Sequence, residues 1–441
     1  MTDKTVGEAV EQRLPRETLK IRNFLSIRKA DYEFAQFNII TGGMASGKSL
    51  TIKLLKYFQD VITRLFYEPN NFYNYLEGKT DYFNVLKEKF LNIFALFTLQ
   101  SLNSQFFEIE YMFSCGGNEF SMRITGKNKD DIDIESSYLK NILEKWRKLA
   151  IEKKKLLPEK MDSPEEFIHT FYDAMQTEFN HCFPIYTTFV PASRATLMYY
   201  KNSGLKEKNY FLDKYYEWVE SVKKNPDTID YVNTVNEMLK AKIQTENDND
   251  LSISLLSSGD RKVPFAYASN GQQEILYILI GLSKLNNCNS YYEKVRSLFI
   301  EEPEAQLYPF EQMKIINFIV QVYNDRKENK KPIRFFITTH SPYVLNSLNN
   351  ILRKGALLKK YPEQDTKINE NEIIADTPVL FAEKEVSAYF IDEHGNGNDM
   401  FDPKDKDYIY PKEINKISHI INDIDELLSD LDDDLDDKFQ E

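Results

Sequence analysis

The octapeptide GGMASGKS, residues 42–49, constrains this chain more than any other stretch. It fits Gly-x-x-x-x-Gly-Lys-Ser and lies between a strand-like run, FNIIT, and a segment of helical periodicity. Ile52, Leu55, Phe58, Val61 and Ile62 set that periodicity, so a helix is expected from about Lys48. Glycines at 42, 43 and 47 free the backbone to wrap an anion with its N–H groups inward, and the following helix adds the positive end of its dipole. The loop from Gly42 and Gly43 through Met44, Ala45, Ser46 and Gly47 to Leu50 therefore reads as a phosphate cradle. Lys48 would reach the β- and γ-phosphates, and Ser49 would offer a hydroxyl to Mg²⁺. A Gly-rich turn without function is the competing reading, and the flanking strand and helix weigh against it. The loop alone does not separate kinases, GTPases and ATPases.

The rest of the chain supplies a core for such a loop. It has 441 residues, of which 42% are apolar and 13% aromatic, enough for one large domain or two to three ordinary ones. No apolar run approaches the roughly 20 residues that cross a bilayer, and the first residues lack the apolar segment of a signal peptide. A soluble, cytoplasmic chain without a membrane partner is expected. Cys115, Cys182 and Cys288 are widely spaced and form no Cys-x-x-Cys pair, which argues for buried small apolar residues rather than a disulfide framework or zinc site. The net charge of −13, from 56 basic and 69 acidic residues, repels polyanions. Two basic clusters, Lys145 to Lys155 and Arg326 to Lys331, read as solvated faces before they read as a nucleic-acid footprint.

Short runs of β-branched and aromatic residues, TLKIRNFLSI, DYEF and FNIIT, make residues 18–41 strand-like, and FFEIEYMF and FSMRI read as a hairpin around Gly116 and Gly117. Residues 129–250 are expected to be helical insertions interrupted by a core strand near 183–190. From residue 263 onward helix and strand alternate: helix 271–285, strand 297–300, helix 309–324, strand 333–338, helix 341–348. That alternation is the pattern of a parallel sheet covered by helices, an α/β fold. Isoleucines and leucines three and four apart across residues 411–439 predict an acidic amphipathic C-terminal helix, either packed on its own domain or serving as an oligomer contact.

The strand SLFI runs into Glu301, Glu302, Pro303 and Glu304. Carboxylates so close repel one another unless a cation gathers them, and a strand ending in acid beside a phosphate loop is placed to hold Mg²⁺. Glu301 takes the metal side, and Glu302, on the other side of the strand end, stands where a base for an attacking water is needed. Glu304, beyond the proline, reads as support for a subunit contact. One strand later, RFFITTHSP puts His340 where it would sense a γ-phosphate. ASNGQQE, before an apolar helix, combines a Ser269 cap, completed by Gln272, with an anion-suited helix start at Asn270 and Gly271.

In this order, GGMASGKS, SNGQQE, LFIEEPEAQLYP and ITTHSP resemble the Walker A, signature, Walker B and switch-histidine motifs of an ABC-type ATPase head of the SMC and RecF kind. EEPEAQLYP and TTHSPYVLNSL are closer still to AAA-labelled bacterial ATPases of the OLD group and to the ATPase half of two-gene phage-defence systems such as PARIS or Septu.

The resemblance implies a P-loop NTPase fold spanning residues 1–441. A β-rich N-terminal lobe with Walker A would occupy 18–128, and a helical lobe with insertions would carry the signature, Walker B and switch histidine over 263–350. It also implies ATP and Mg²⁺ as cofactors and a sandwich dimer or higher homo-oligomer, in which Ser269, Asn270, Gly271 and Gln272 of one copy close on ATP held by another. Glu301 would be the magnesium-side residue, Glu302 the general base and His340 the γ-phosphate sensor. VPASRA is a weaker echo, in which Arg194 either reaches a phosphate or steadies the neighbouring lobe, and Gln100 is the nearest candidate for a Q-loop glutamine.

No long heptad arms with a Cys-x-x-Cys hook appear between the motifs. Too few residues follow His340 for the nuclease domain of OLD proteins, so an effector, a nuclease or toxin, would be a separate chain. Two functions follow: an ATPase that senses or scaffolds in anti-phage defence, and a RecF- or SMC-like repair ATPase with ATP-gated DNA binding. A kinase or GTPase would leave SNGQQE and His340 without a task.

Overall fold

The structure, a computed structural model, describes residues 15–67, 81–94, 105–128, 130–156, 177–179, 186–192, 194, 211, 215, 231–245, 251–255, 262–264, 267–283, 285, 296–362 and 372–410. In chain order, β1 (Arg16–Phe24) and β2 (Ile27–Phe34) form a hairpin, and β3 (Phe37–Gly42) leads through the glycine-rich loop into α1 (Lys48–Tyr67). Next come α2 (Tyr82–Phe94), β4 (Phe107–Cys115), β5 (Asn118–Gly126), β6 (Ile132–Glu135), α3 (Ser137–Leu156) and β7 (Tyr186–Val190). They are followed by α4 (Val232–Leu239), β8 (Ala241–Thr245), β9 (Leu251–Leu255), β10 (Lys262–Pro264), α5 (Asn270–Ser283) and β11 (Arg296–Glu301). The remaining elements are α6 (Pro309–Glu328), β12 (Ile333–Thr339), α7 (Pro342–Lys360), the one-turn helices α8 (Glu372–Ala375) and α9 (Ala382–Glu385), β13 (Val386–Ile391), β14 (Gly397–Asp399), β15 (Phe401–Asp402) and β16 (Asp405–Ile409).

Among the described residues the central sheet has the order β14-β13-β3-β12-β11-β7. The five strands from β13 to β7 are parallel, and β14 closes the other edge antiparallel. Every residue of β3 and of β12 is buried, as a parallel strand covered on both faces requires. Alternation along β11 divides its side chains between two cores. Phe299 stacks on Phe336 (ring centroids 4.6 Å apart) on the α1 side, whereas Leu298 and Ile300 face α5, α6 and α7.

A second, antiparallel sheet of order β2-β1-β4-β5-β6 covers the α1 side. In β4, Phe107, Ile109, Tyr111, Phe113 and Cys115 alternate inward, and Phe24 meets Phe107 with ring centroids 5.0 Å apart. A buried polar knot ties the two sheets. The Glu17 carboxylate accepts from Gln59 Nε2 at 2.9 Å, from the Tyr111 hydroxyl at 2.5 Å and from the Arg334 guanidinium of β12. Three different elements thus converge on one carboxylate, the pattern by which buried charge is tolerated.

Several expectations change. TLKIRNFLSI is two strands, since the chain turns at Leu25, whose φ is 51°, and Ser26. Residues 132–135 and 241–245, read as helical, are strands: β6 extends the antiparallel sheet, and β8 pairs with β9 in a three-stranded sheet completed by β10. Helix α7 runs on to Lys360 rather than ending near 348. After it, β13 enters the central sheet beside β3, a strand that no feature of the sequence predicts. Of the basic cluster at 326–331, Arg326 is buried and donates to Leu285 O, and Lys327 pairs with Glu385, which leaves Lys330 and Lys331 exposed. Cys182, Cys288, Gln100 and residues 411–439 lie outside the described residues. Among those described, no helix is long and apolar enough to cross a membrane.

Candidate nucleotide-binding and catalytic site

The register of the central sheet brings the motifs together. Thr41 of β3 lies opposite Thr339 of β12, and Thr338 opposite Glu301 of β11, so the loops leaving these three strands emerge side by side at their C-terminal edge. In an open parallel sheet this edge is where ligands bind.

In the first of those loops, Gly42 (φ +150°) and Gly47 (φ +111°) occupy conformations that L side chains rarely adopt. A Cβ at Gly42 would come within 2.5 Å of Ile391 O, and one at Gly47 within 2.6 Å of Ile27 Cγ1. The β13 end and the β1–β2 turn therefore wall the loop closely. The first bond of the α1 ladder runs from Thr51 N–H to Gly47 O at 2.9 Å, so the N–H groups of Lys48, Ser49 and Leu50 point out of the helix end. Ser46 Oγ is buried there without a hydrogen-bond partner among the described residues. Gly43, Met44 and Ala45 are exposed, and Ser49 and Leu50 are half-buried. A concave run of N–H donors with an orphaned hydroxyl suits phosphate. The Lys48 ammonium donates to Gly42 O at 2.9 Å and Gly43 O at 2.7 Å, which fixes it across the loop mouth. Burial lowers its pKa, against which the charges of Glu302 and Glu304 work.

The three carboxylates have three different surroundings. Glu301 is buried; its Oε1 lies 3.2 Å from Lys53 Nζ, and its Oε2 accepts the Ala192 N–H at 3.2 Å. Glu302 has φ 45°, a left-handed conformation that costs a non-glycine residue roughly 1–2 kcal/mol. Its N–H donates to Thr338 O at 2.9 Å, and its Oε1 stands 3.2 Å from Nδ1 of the half-exposed His340. Strain of this kind concentrates where a side chain must be aimed.

Glu304, read as support for a subunit contact, makes its hydrogen bonds within the chain among the described residues. It is buried, and its Oε1 accepts the Thr339 hydroxyl at 2.6 Å and the His340 N–H at 3.3 Å. Burial pushes its carboxyl pKa up, with the Thr339 hydrogen bond opposing. Buttressing of the His340 loop is what its contacts accomplish.

The Ser269 segment starts α5. Ser269 Oγ and N–H both meet Gln272 Oε1, at 2.9 Å and 3.1 Å, and the Gln272 N–H returns to Ser269 Oγ at 3.4 Å, the reciprocal cap its spacing predicts. Gln272 Nε2 donates to Leu239 O at 2.8 Å, so this side chain is occupied within its own chain. Ser269 and Asn270 are exposed, and a Cβ at Gly271 would sit 3.0 Å from Gln306 O. No hydrogen bond or ion pair joins residues 269–272 to the phosphate loop among the described residues.

Arg194 reads either as reaching a phosphate or as steadying the neighbouring lobe, and its contacts fit the second. It does not project toward a phosphate but is fully buried, with Nη1 donating to Pro191 O (2.9 Å) and Glu301 O (2.6 Å), Nη2 to Glu302 O (2.8 Å) and Nε to Glu274 O (2.9 Å).

A family model described as an AAA ATPase domain matches residues 17–345, more than half of the chain and all the motifs above. The chain belongs to that family. It is thus an ATPase. Three solved structures resemble the ATPase in fold. An SMC head domain from Thermotoga maritima is 13% identical, covering 75% of this chain and 91% of its own, with a TM-score of 0.34. An SMC head bound to the C-terminal winged-helix domain of ScpA is 16% identical, covering 75% and 92%, with a TM-score of 0.34. The recombination mediator RecF is 12% identical, covering 88% and 99%, with a TM-score of 0.35. No curated protein matches the sequence.

In the ATPase, the oxygen donors Ser49 and Glu301 fit a hard cation such as Mg²⁺, which takes few protein ligands and shares substrate phosphates. Lys53, absent from the residues predicted for the site, is the cation at Glu301 within the chain. Its position one helical turn after Ser49 was the available signal, since residues 49 and 53 share a helix face.

Proposed function

We propose that this ATPase is a switch in which two copies close around ATP and control a separate effector protein. The contact between Glu302 and His340, at the ends of the two strands that follow β3 on one side in the sheet, carries the reading. Glu302 would take the proton of the attacking water, and His340 would hold the Glu302 carboxylate and meet the γ-phosphate. Ser49 and Glu301 would hold Mg²⁺, which when bound supplies charge neutralisation across the phosphates. Lys48 would stabilise the negative charge that gathers on the transferred group. Ser269 and Asn270 are exposed and, among the described residues, have no hydrogen bond or ion pair to the phosphate loop, which supports a role toward a second copy. The likeness of EEPEAQLYP and TTHSPYVLNSL to defence ATPases supports an effector in anti-phage defence.

Complementation tests the two-copy arrangement. Lys48→Ala should be inactive alone, and Ser269→Arg alone should keep only a small, measurable residual turnover. Mixed, they form heterodimers with one intact site, built from a wild-type phosphate loop and a wild-type signature, and turnover returns in part. No recovery on mixing would refute the arrangement.

A RecF- or SMC-like reading with ATP-gated DNA binding is favoured by one feature, the exposed Lys140, Lys145 and Lys148 on α3. Duplex binding that needs ATP, weakens steeply with salt and is lost when these lysines become glutamate would establish it.

A further inference from the structure

We infer that Arg194 is a positioning residue that couples the signature helix α5 to the backbone on which Glu302 is held, so that whatever engages residues 269–271 also sets the aim of the Glu302 carboxylate. This rests on the proposed role of Glu302 as base.

The geometry is specific on the catalytic side. The Glu302 peptide unit is gripped at both ends: its N–H by Thr338 O of β12 at 2.9 Å, its carbonyl by Arg194 Nη2 at 2.8 Å. The same guanidinium holds the preceding carbonyl, Glu301 O, at 2.6 Å. Two successive carbonyls aimed at one planar cation define the left-handed turn at Glu302, whose φ is 45°. With the backbone fixed, only side-chain rotation remains to the carboxylate, and His340 Nδ1 at 3.2 Å meets it there.

The other side of the guanidinium belongs to α5. Arg194 Nε donates to Glu274 O at 2.9 Å and lies 3.1 Å from Glu274 Oε2. Glu274 is buried and stands five residues after the Ser269 cap, within the first turns of one continuous helix. The start of that helix also rests on the turn after Glu302, where Gly271 lies so close to Gln306 O that a Cβ would approach to 3.0 Å. A displacement of α5 must therefore carry Arg194 with it or separate a buried charge pair, and the second is strongly unfavourable. Arginine suits the task because its rigid fork serves several acceptors at once, which the single ammonium of lysine does not.

The experiment uses the full chain and compares Arg194→Lys, Glu274→Gln, Ser269→Arg and the double variant Glu274→Gln/Ser269→Arg. Melting curves establish folding, binding of an ATP analogue establishes the nucleotide site, and steady-state turnover separates kcat from KM. Arg194→Lys and Glu274→Gln should bind nucleotide and keep KM within about twofold, while kcat falls at least about tenfold. Glu274→Gln should add no further loss on top of Ser269→Arg, because the signal it carries is already cut. If Arg194→Lys fails to fold, Glu274→Gln carries the test alone, since it keeps the helix carbonyl and the side-chain shape. Folded variants with parental kcat, or losses that multiply in the double variant, would overturn the coupling. Glu302→Gln runs beside them. If it is inactive while Arg194→Lys and Glu274→Gln are parental, only the coupling fails; if it turns over at the parental rate, the base assignment fails and takes the coupling with it.

Discussion

The carboxylate of Glu302 and the Nδ1 of His340 stand 3.2 Å apart across the ends of two adjacent parallel strands, β11 and β12. Each depends on the other's strand, because the Glu302 N–H is bonded to Thr338 O and the His340 N–H to Glu304 Oε1. Removing the imidazole should leave ATP binding near parental and reduce kcat roughly 10²-fold, the usual scale for a positioned proton-transfer partner. Steady-state turnover of His340→Ala, with nucleotide affinity measured in parallel, checks this.

Gly47 should tolerate no side chain. At φ +111°, with Ile27 Cγ1 only 2.6 Å from where a methyl group would sit, Gly47→Ala must distort either the loop or the β1–β2 turn. A stability loss of about 1–3 kcal/mol and a sharp fall in nucleotide affinity are expected. Thermal melting with and without an ATP analogue reads both, and the melting shift caused by the nucleotide should shrink or vanish.

Stability should depend on pH through Glu304. Its carboxyl pKa in the folded chain lies above the ordinary 4.5 because the group is buried, so the native state keeps a proton that the unfolded chain has released. That contribution is fully present below 4.5 and is lost as pH rises through the folded value. Glu304→Gln preserves the acceptor for the Thr339 hydroxyl without the charge. Its melting temperature relative to the parent should be near zero at the acid end, rise with pH through the titration and then level off.

The knot between the two sheets should be strongly cooperative. Arg334→Met leaves the buried Glu17 carboxylate without its cation, and losses of about 3–5 kcal/mol are typical of such a break. Glu17→Gln combined with Arg334→Met should cost less than the sum of the single changes, as a double-mutant cycle by chemical denaturation would show.

The sequence carried the parts whose physics is local. The phosphate loop, the Ser269 cap with Gln272 and the helix–strand alternation from residue 263 all depend on neighbours within a few positions. What it hid is non-local. β13 joins the central sheet beside β3, its register set by pairing across hundreds of residues, and a short buried strand carries no periodicity to announce that. β8 lies directly after α4, separated from it only by the left-handed Lys240, so a polar helical stretch ran on into it without a visible break. Arg194 and Glu304 stand out as residues but not in role, because only the fold shows that their partners are the carbonyls of Glu301 and Glu302 and the hydroxyl of Thr339.

The most direct test of the account is Glu302→Gln, which keeps the size of the side chain and removes the base. The variant should bind ATP as the parent does, lose turnover by roughly 10³-fold and elute as a dimer with ATP and Mg²⁺ but not without them. Hydrolysis at the parental rate, or a variant that stays monomeric at saturating ATP, would contradict it.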